Sequence, residues 1–145
     1  MEPLIPEGTI PRALLDAIPS SIFITDSDVR ILDVNRAGRG LLGPESELRF
    51  GRPGGELLHC LFHAHSQEGC GKTDYCSGCV VRESVAAVKP GVAAPRRTAH
   101  MILVQDGSSR DCWFLISAAP LVLESRDLIL LVMEDVTRIV EAREP

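Results

Sequence analysis

Three strand-like segments follow one another in the last third of the chain, and this succession constrains the fold more than any other feature. They are rich in β-branched, leucine or aromatic residues and run over Thr98–Gln105, Asp111–Leu123 and Asp127–Glu134. The sequences Asp106-Gly107-Ser108 and Glu124-Ser125-Arg126 supply short turns between them. Strands joined by such short turns pair antiparallel, so the C-terminal part predicts neighbouring antiparallel strands.

Two details place these strands within a sheet. The last strand contains the continuously apolar run LILLVM, which predicts a central strand covered on both faces. The strand before it contains Pro120, which cannot donate a ladder hydrogen bond. We therefore expect Pro120 at a bulge or near an edge.

The N-terminal part predicts a helix followed by a hairpin. Apolar residues recur at a helical spacing over Ile10–Ile18, with Thr9 available as the N-cap and Pro19 as the stop. The sequences SIFIT and ILDVN then predict two short strands around an Asp/Ser-rich turn. A short helix capped by Asn35 follows and runs to Leu42.

The middle of the chain is less regular. Residues Gly43–Gly55 are rich in turn formers, and Glu56–His65 predicts one or two helical turns. A longer helix is expected over Ser77–Lys89, and Val136–Glu144 restarts a helical pattern at the end of the chain. The order of elements predicts an α+β fold with one antiparallel sheet, and 145 residues with 45% hydrophobic content suit a single compact domain.

Four of the five cysteines lie close together in this middle region: Cys60, Cys70, Cys76 and Cys79. The last two form a CxxC at the start of the predicted Ser77–Lys89 helix, whose positive N-terminal end favours thiolates. Four thiolates complete a tetrahedral zinc site or the ligand set of an iron–sulfur cluster. The sequence therefore predicts that these four cysteines bind a metal centre.

The identity of the centre stays open at this stage. Structural zinc sites usually pair two short knuckles, whereas this chain has one CxxC and two scattered cysteines, a spacing that an iron–sulfur cluster tolerates. A metal-free redox thiol or disulfide group is the third alternative. Five cysteines, an odd number, disfavour a purely structural disulfide framework.

The remaining metal-ligating residue types receive simpler interpretations. His59, His63 and His65 can serve as metal ligands, but histidines in a polar loop are more often solvated. His100 is expected to be a sheet residue, and Cys112 a small buried hydrophobe in its strand.

Two segments resemble the PAS family. AIPSSIFITDSDVRILDVNRAGRGLLG is similar to the PAS opening, in which a strand turns at a short Asp-containing segment and returns before an Asn-led helix. AAPLVLESRDLILLVMEDVTRIVEARE is similar to the last two PAS strands and their Asp-Val-Thr exit toward a signalling helix. The middle, GRPGGELLHC and GCGKTDYCSGCVVRESV, resembles a subgroup of bacterial signalling proteins with cysteines between strands two and three. Its cysteine positions correspond to Cys60, Cys70, Cys76 and Cys79.

The resemblance implies a five-stranded antiparallel sheet with short helices on one face and a ligand or cofactor pocket between them. It divides the chain into an N-terminal helical extension at 1–19, a sensor domain at 20–136 and an exit helix or tail at 137–145. The cysteine-rich insert would span 56–80. The implied function is sensing, although a fold alone does not establish the ligand.

Several functional classes are disfavoured. The net charge of −5 and the lack of a Lys/Arg stripe argue against a nucleic-acid partner. No apolar run reaches the roughly 20 residues of a membrane helix and no secretion signal is present, which predicts a cytoplasmic protein. The CxxC lies outside a βαβ unit, and four cysteines would saturate a metal, so an enzyme using Glu68 or Glu83 as acid or base is disfavoured.

The sequence therefore predicts a cytoplasmic, non-enzymatic sensory module in signal transduction. A cysteine-ligated metal centre, with a 4Fe-4S cluster favoured over zinc, would sense redox state or a diatomic gas. The alternative is a protein-interaction or small-ligand-binding module with a purely structural zinc site. A signalling output protein or domain is the expected partner. The apolar stripe of the helix at Ile10–Ile18 needs a covering surface, which either a homodimer or the chain's own sheet can supply.

Overall fold

A computed structural model describes residues 3–42, 50–54, 58, 60, 79–105 and 107–143. The predicted elements are present there with boundaries shifted by a few residues, and the predicted α+β class is confirmed. The described elements are α1 (Ile10–Ala17), β1 (Ser21–Thr25), β2 (Arg30–Val34), α2 (Arg36–Arg39), β3 (Arg52–Pro53), α3 (Val80–Ala87), β4 (Arg97–Gln105), β5 (Ser108–Leu123), β6 (Arg126–Asp135) and α4 (Thr137–Arg143). The helical turns predicted over Glu56–His65 lie largely outside these residues.

The strands form one antiparallel sheet in the order β3-β2-β1-β6-β5-β4. The five predicted strands are all present, and the two-residue strand β3 adds a sixth by pairing with Arg30 and Ile31. A strand of two residues has no periodicity, so the sequence does not reveal it. The two longest strands, β5 and β6, are joined by the residues Glu124 and Ser125, which both adopt positive φ as the favoured two-residue hairpin turn requires.

The main core lies between one face of the sheet and α3. Phe23, Phe114 and Leu131 are buried on this inner face, and α3 contributes Val81 and Val85. Helix α3 contacts both β4 and β5. Helix α3 therefore covers the inner face at β5 and β4, the last two strands in the sheet order.

The outer face is covered less completely. Strand β6 is central, between β1 and β5, as its apolar run predicts. Its inner residues Leu131 and Met133 are buried, whereas Leu130 and Val132 on the outer face are only half-buried. The expectation that both faces are fully covered is therefore met on the inner face alone.

Pro120 lies in the part of β5 that extends beyond β4. The pairing of β5 with β4 ends at Ile116, while its pairing with β6 continues to Leu123. One side of β5 at Pro120 thus has no strand partner among the described residues. This edge position accounts for a proline in a long strand.

Helix α1 is held against the sheet by a charged residue. The guanidinium of Arg12 is 2% exposed and reaches both carboxylate oxygens of Asp33 at 2.6 Å and the carbonyl of Val34 at 3.0 Å. The apolar residues Ile10 and Leu14 are 77% and 65% exposed. The helix therefore presents its apolar stripe outward and buries one charged side chain.

Asn35 joins α1, β1 and α2. Its side-chain oxygen accepts hydrogen bonds from the backbone N–H groups of Ile22 and Gly38, which confirms its predicted capping role. Its amide nitrogen lies 2.9–3.2 Å from three carbonyl oxygens at the end of α1, those of Leu15, Ile18 and Ser20. A fully buried side chain thus connects three elements.

Candidate cysteine site

Two of the four predicted metal ligands, Cys60 and Cys79, lie within the described residues. Cys70 and Cys76 lie outside them, as do His59, His63 and His65. These two cysteines are the first and the last of the four in sequence.

Cys60 lies beside the outer edge of the sheet. It forms an isolated antiparallel bridge with Leu103 of β4 and is half-buried. Strand β4 is the last strand of the sheet, so this bridge occupies the side that faces away from β5. Nearby in sequence, Leu58 is buried in the core. Cys60 is thus fixed next to an edge strand whose inner residues belong to the core.

Cys79 lies at the N-terminus of α3. It is the N-cap residue, with extended backbone angles, and its carbonyl accepts the N–H of Glu83 at 2.9 Å. The side chain is half-buried and packs against the core. The partial positive charge of a helix N-terminus stabilises a thiolate, which is the form that binds metals.

Cys60 is bridged to Leu103 of β4, and Cys79 caps α3, the helix that packs on β4 and β5. In the part of the chain that the structure describes, no three Cys, His, Asp or Glu side chains come together as a metal site. Cys70 and Cys76 lie outside that part of the chain. The donor chemistry of Cys60 and Cys79, two half-buried thiols, suits zinc and iron–sulfur clusters alike.

Glu83, the described candidate for an acid or base, does not point into the interior. It lies on the exposed side of α3 and forms an ion pair with Arg97 of β4. Glu68, the other candidate, is outside the described residues. The pair of Glu83 with Arg97 favours a structural role in holding α3 on the sheet.

His100 has partners that the sequence did not reveal. It lies on β4, as predicted, but its Nε2 is 2.6 Å from Asp111 Oδ1 and its ring stacks on Trp113 with centroids 4.6 Å apart. The register of β4 with β5 places His100 opposite Trp113, and only this pairing brings the rings together. Cys112, by contrast, is fully buried in the core, as its apolar surroundings predict.

The backbone of Trp113 also holds the exit helix α4. The N–H of Val136 donates to the Trp113 carbonyl at 2.8 Å, and the Trp113 N–H donates to Thr137 Oγ1 at 2.9 Å. Strand β5, which pairs with β4 along nine residues of β4, therefore connects the cysteine-bordered strand to the start of α4.

Comparison with known proteins identifies the class. The PAS fold profile matches residues 15–141, and the chain therefore belongs to the PAS-fold family. PAS domains are generally sensory or regulatory. No curated protein matches the chain.

Solved structures show the same fold. The chain is 22% identical to the PAS domain of an HTR-like protein from Haloarcula marismortui, covering 86% of this chain and 93% of that one, with a TM-score of 0.55. It is 16% identical to the PAS domain of nitrogen regulation protein NR(II) from Vibrio parahaemolyticus, covering 88% and 99%, with a TM-score of 0.57. An RNA-binding Light-Oxygen-Voltage receptor matches 97% of this chain with 37% of its own, at 21% identity and a TM-score of 0.58.

Among the described residues, no helix is long and apolar enough to cross a membrane.

Proposed function

We propose that the chain is a cytoplasmic sensory module in signal transduction whose cysteines Cys60, Cys70, Cys76 and Cys79 bind a metal centre. A 4Fe-4S cluster is favoured over zinc because the four cysteines are unevenly spaced, with a single CxxC. The observation that carries the proposal is that Cys60 is bridged to the edge strand β4 and that Cys79 caps α3, a helix that packs on the same strand.

The described contacts give a route from this site to the exit helix. An iron–sulfur cluster would supply sensitivity to redox state or to a diatomic gas. Cys60 is bridged to β4, and Cys79 begins the helix that packs on β4 and β5. Because the Trp113 backbone in β5 holds the start of α4, a displacement at β4 has a continuous path to the exit helix. A signalling output protein or domain would receive the change there.

The alternative proposal keeps the fold and changes the role of the metal. A purely structural zinc site formed by the four cysteines would stabilise the segment before α3, and the module would then bind a protein partner or a small ligand. We propose no enzymatic activity, since Glu83 is engaged with Arg97 at the surface.

Metal analysis after anaerobic purification separates these proposals. A 4Fe-4S cluster predicts a brown protein with broad visible absorption and about four irons per chain. A colourless protein with about one tightly bound zinc supports the structural alternative. A chain that binds neither metal contradicts both.

Substitution of the cysteines tests the ligand assignment. Cys76→Ser is expected to lose most of the bound metal, because one thiolate of the ligand set is removed. Cys112→Ala is the matched control, since this cysteine is buried in the core and outside the predicted set. Full metal content in Cys76→Ser, or equal loss in both variants, would contradict the assignment.

We also propose a homodimer formed through α1. The stripe of Ile10, Leu14 and Ile18 is exposed although it is apolar, and the neighbouring outer face of the sheet includes the half-buried Leu130 and Val132. A second copy of the chain offers the same two surfaces, as a two-fold interface requires.

A further inference from the structure

The turn between β1 and β2 contains a residue in an unfavourable backbone conformation. Val29 has φ +60°, in the left-handed region, and its side chain is buried in the main core. A β-branched side chain is poorly accommodated at positive φ. Three-residue hairpin loops commonly end with a left-handed residue at a bulge, and glycine is the usual residue there.

The turn itself is firmly bonded. One carboxylate oxygen of Asp26 accepts the N–H groups of Asp28 and Arg30, each at 2.9 Å. The carbonyl of Asp26 accepts the N–H of Val29 at 3.2 Å, and the register of β1 with β2 shifts beside the turn. These local bonds favour a tight turn, and none of them involves the carbonyl of Val29.

One external contact reaches the turn from the segment before the cysteines. The N–H of Gly54 donates to the Val29 carbonyl at 2.8 Å. A Cβ added to Gly54 would lie 3.2 Å from Val29 Cγ1 and 3.3 Å from the Val29 carbonyl oxygen. The close approach of the two backbones therefore favours glycine at position 54, and the carbonyl of the strained residue points toward its N–H.

A second external contact reaches the same turn from the helix after the cysteines. Arg82 of α3 donates from Nη1 to the carbonyl of Asp28 at 3.3 Å and to its carboxylate at 3.2 Å. Gly54 precedes residues 55–78, and α3 follows them. Contacts from both sides of that interval thus converge on two consecutive residues of one turn.

We propose that the β1–β2 turn has two conformations and that Gly54 and Arg82 together hold Val29 in the left-handed one. We call this arrangement the latch. When either contact is lost, Val29 relaxes to an extended conformation, and its carbonyl no longer meets the Gly54 N–H. Strained conformations persist only where surrounding structure holds them, and they concentrate at switch regions. Strand β1 leads into this turn and pairs with β6, which is followed by α4. The inference does not depend on a bound metal.

The strain is tested by comparing Val29→Gly with Val29→Ala in urea unfolding. Both variants lose the branched side chain, so the difference between their free energies of unfolding reports the backbone conformation at position 29. If Val29 is strained, Val29→Ala has an unfolding equilibrium constant roughly fivefold larger than that of Val29→Gly. An unstrained position gives the reverse order, because glycine loses more chain entropy on folding. The reverse order would overturn the proposal.

The coupling is tested by hydrogen exchange of the Gly54 amide, measured by NMR. Arg82→Met removes the Asp28 contact while keeping an unbranched side chain and is expected to accelerate this exchange roughly tenfold. Arg97→Met is the matched control. It removes the ion pair between Arg97 of β4 and Glu83 of α3, and this pair does not reach the turn.

The same exchange measurement is made in chains that also carry Val29→Gly. Without strain to release, Arg82→Met is expected to leave Gly54 exchange nearly unchanged there. Unchanged exchange in Arg82→Met alone, or equal acceleration by Arg97→Met, would overturn the latch. So would a tenfold acceleration by Arg82→Met that persists in the Val29→Gly background, since the coupling would then not pass through the strained residue.

Discussion

Arg12 and Asp33 form the most buried ion pair that the described residues contain, and the pair fixes how α1 sits on the domain. Burial lowers the pKa of Arg12, but the hydrogen bond and charge of Asp33 more than offset this, so the pKa is raised overall. A raised pKa contributes stability that is fully present below the unfolded-state value and is lost only as pH rises through the folded-state value. For arginine this loss lies far into the alkaline range, so the contribution of Arg12 is constant around neutral pH.

Removal of this guanidinium is predicted to be strongly destabilising. Arg12→Met leaves the buried Asp33 without its cation and should lower the free energy of unfolding by about 3–5 kcal/mol. In Arg12→Met/Asp33→Asn the orphaned charge is gone, so the double variant is expected to be clearly more stable than Arg12→Met. Urea unfolding at neutral pH measures both. A loss under about 1 kcal/mol in Arg12→Met would show that the pair is not structural.

At the residue scale, short-range chemistry was predictable from the sequence and long-range chemistry was not. The caps Thr9 and Asn35 follow from local hydrogen bonding, and both are found as expected. The inward direction of Arg12 depends on Asp33, 21 residues away, and the turn that contains Val29 receives hydrogen bonds from Gly54 and Arg82. No local pattern encodes such partners.

At the scale of elements, α1 and α2 show what a helical pattern does and does not specify. The spacing predicts that α1 is amphipathic, yet the fold buries Arg12 and exposes Leu14. The glycines of the second helix suggest a short element, and α2 spans four residues. A Cβ on Gly38 would lie 2.5 Å from Val34 Cγ2, so the glycine is required by packing against β2, which only the tertiary structure shows.

The exposed stripe of α1 gives a prediction about assembly. Leu14→Gln keeps a good helix former and removes apolar contact area, so it should weaken self-association at least about tenfold. The stability of the fold should change by no more than about 0.5 kcal/mol, because Leu14 is largely exposed. Sedimentation velocity over a concentration series measures the association. Val122→Gln, at an exposed apolar residue of β5, is the control and should have no effect. A wild-type chain that stays monomeric throughout would refute the dimer.

At the scale of the whole molecule, the order of elements along the chain and the family were predictable, whereas the arrangement around the cysteines was not. Turn residues and strand composition located β4, β5 and β6 to within three residues at each end. The clustering of Cys60 and Cys79 in sequence suggested a common site, but the bridge of Cys60 to Leu103 and the packing of α3 on β4 are contacts that only the tertiary structure shows. Such contacts depend on how the chain closes in space.

The connection between sheet and exit helix gives a prediction at this scale. Thr137→Val removes the acceptor for the Trp113 N–H, and the amides of α4 should exchange roughly tenfold faster as its start loosens. Thr137→Ser keeps the hydroxyl and should restore protection. Hydrogen exchange by mass spectrometry measures both variants. Equal protection of α4 in Thr137→Val and the wild type would show that this bond does not hold the helix.

The buried amide of Asn35 bears on how this module can be transplanted into other proteins. Its three carbonyl contacts are all supplied by the stretch from Leu15 to Ser20. A chimaera joined just after Ser20 would leave a buried NH₂ group without the Leu15 and Ile18 carbonyls, a penalty of about 1–3 kcal/mol for each unmet bond. A graft that preserves the fold therefore has to carry α1 with the sheet, and the usable junction lies upstream of the helix.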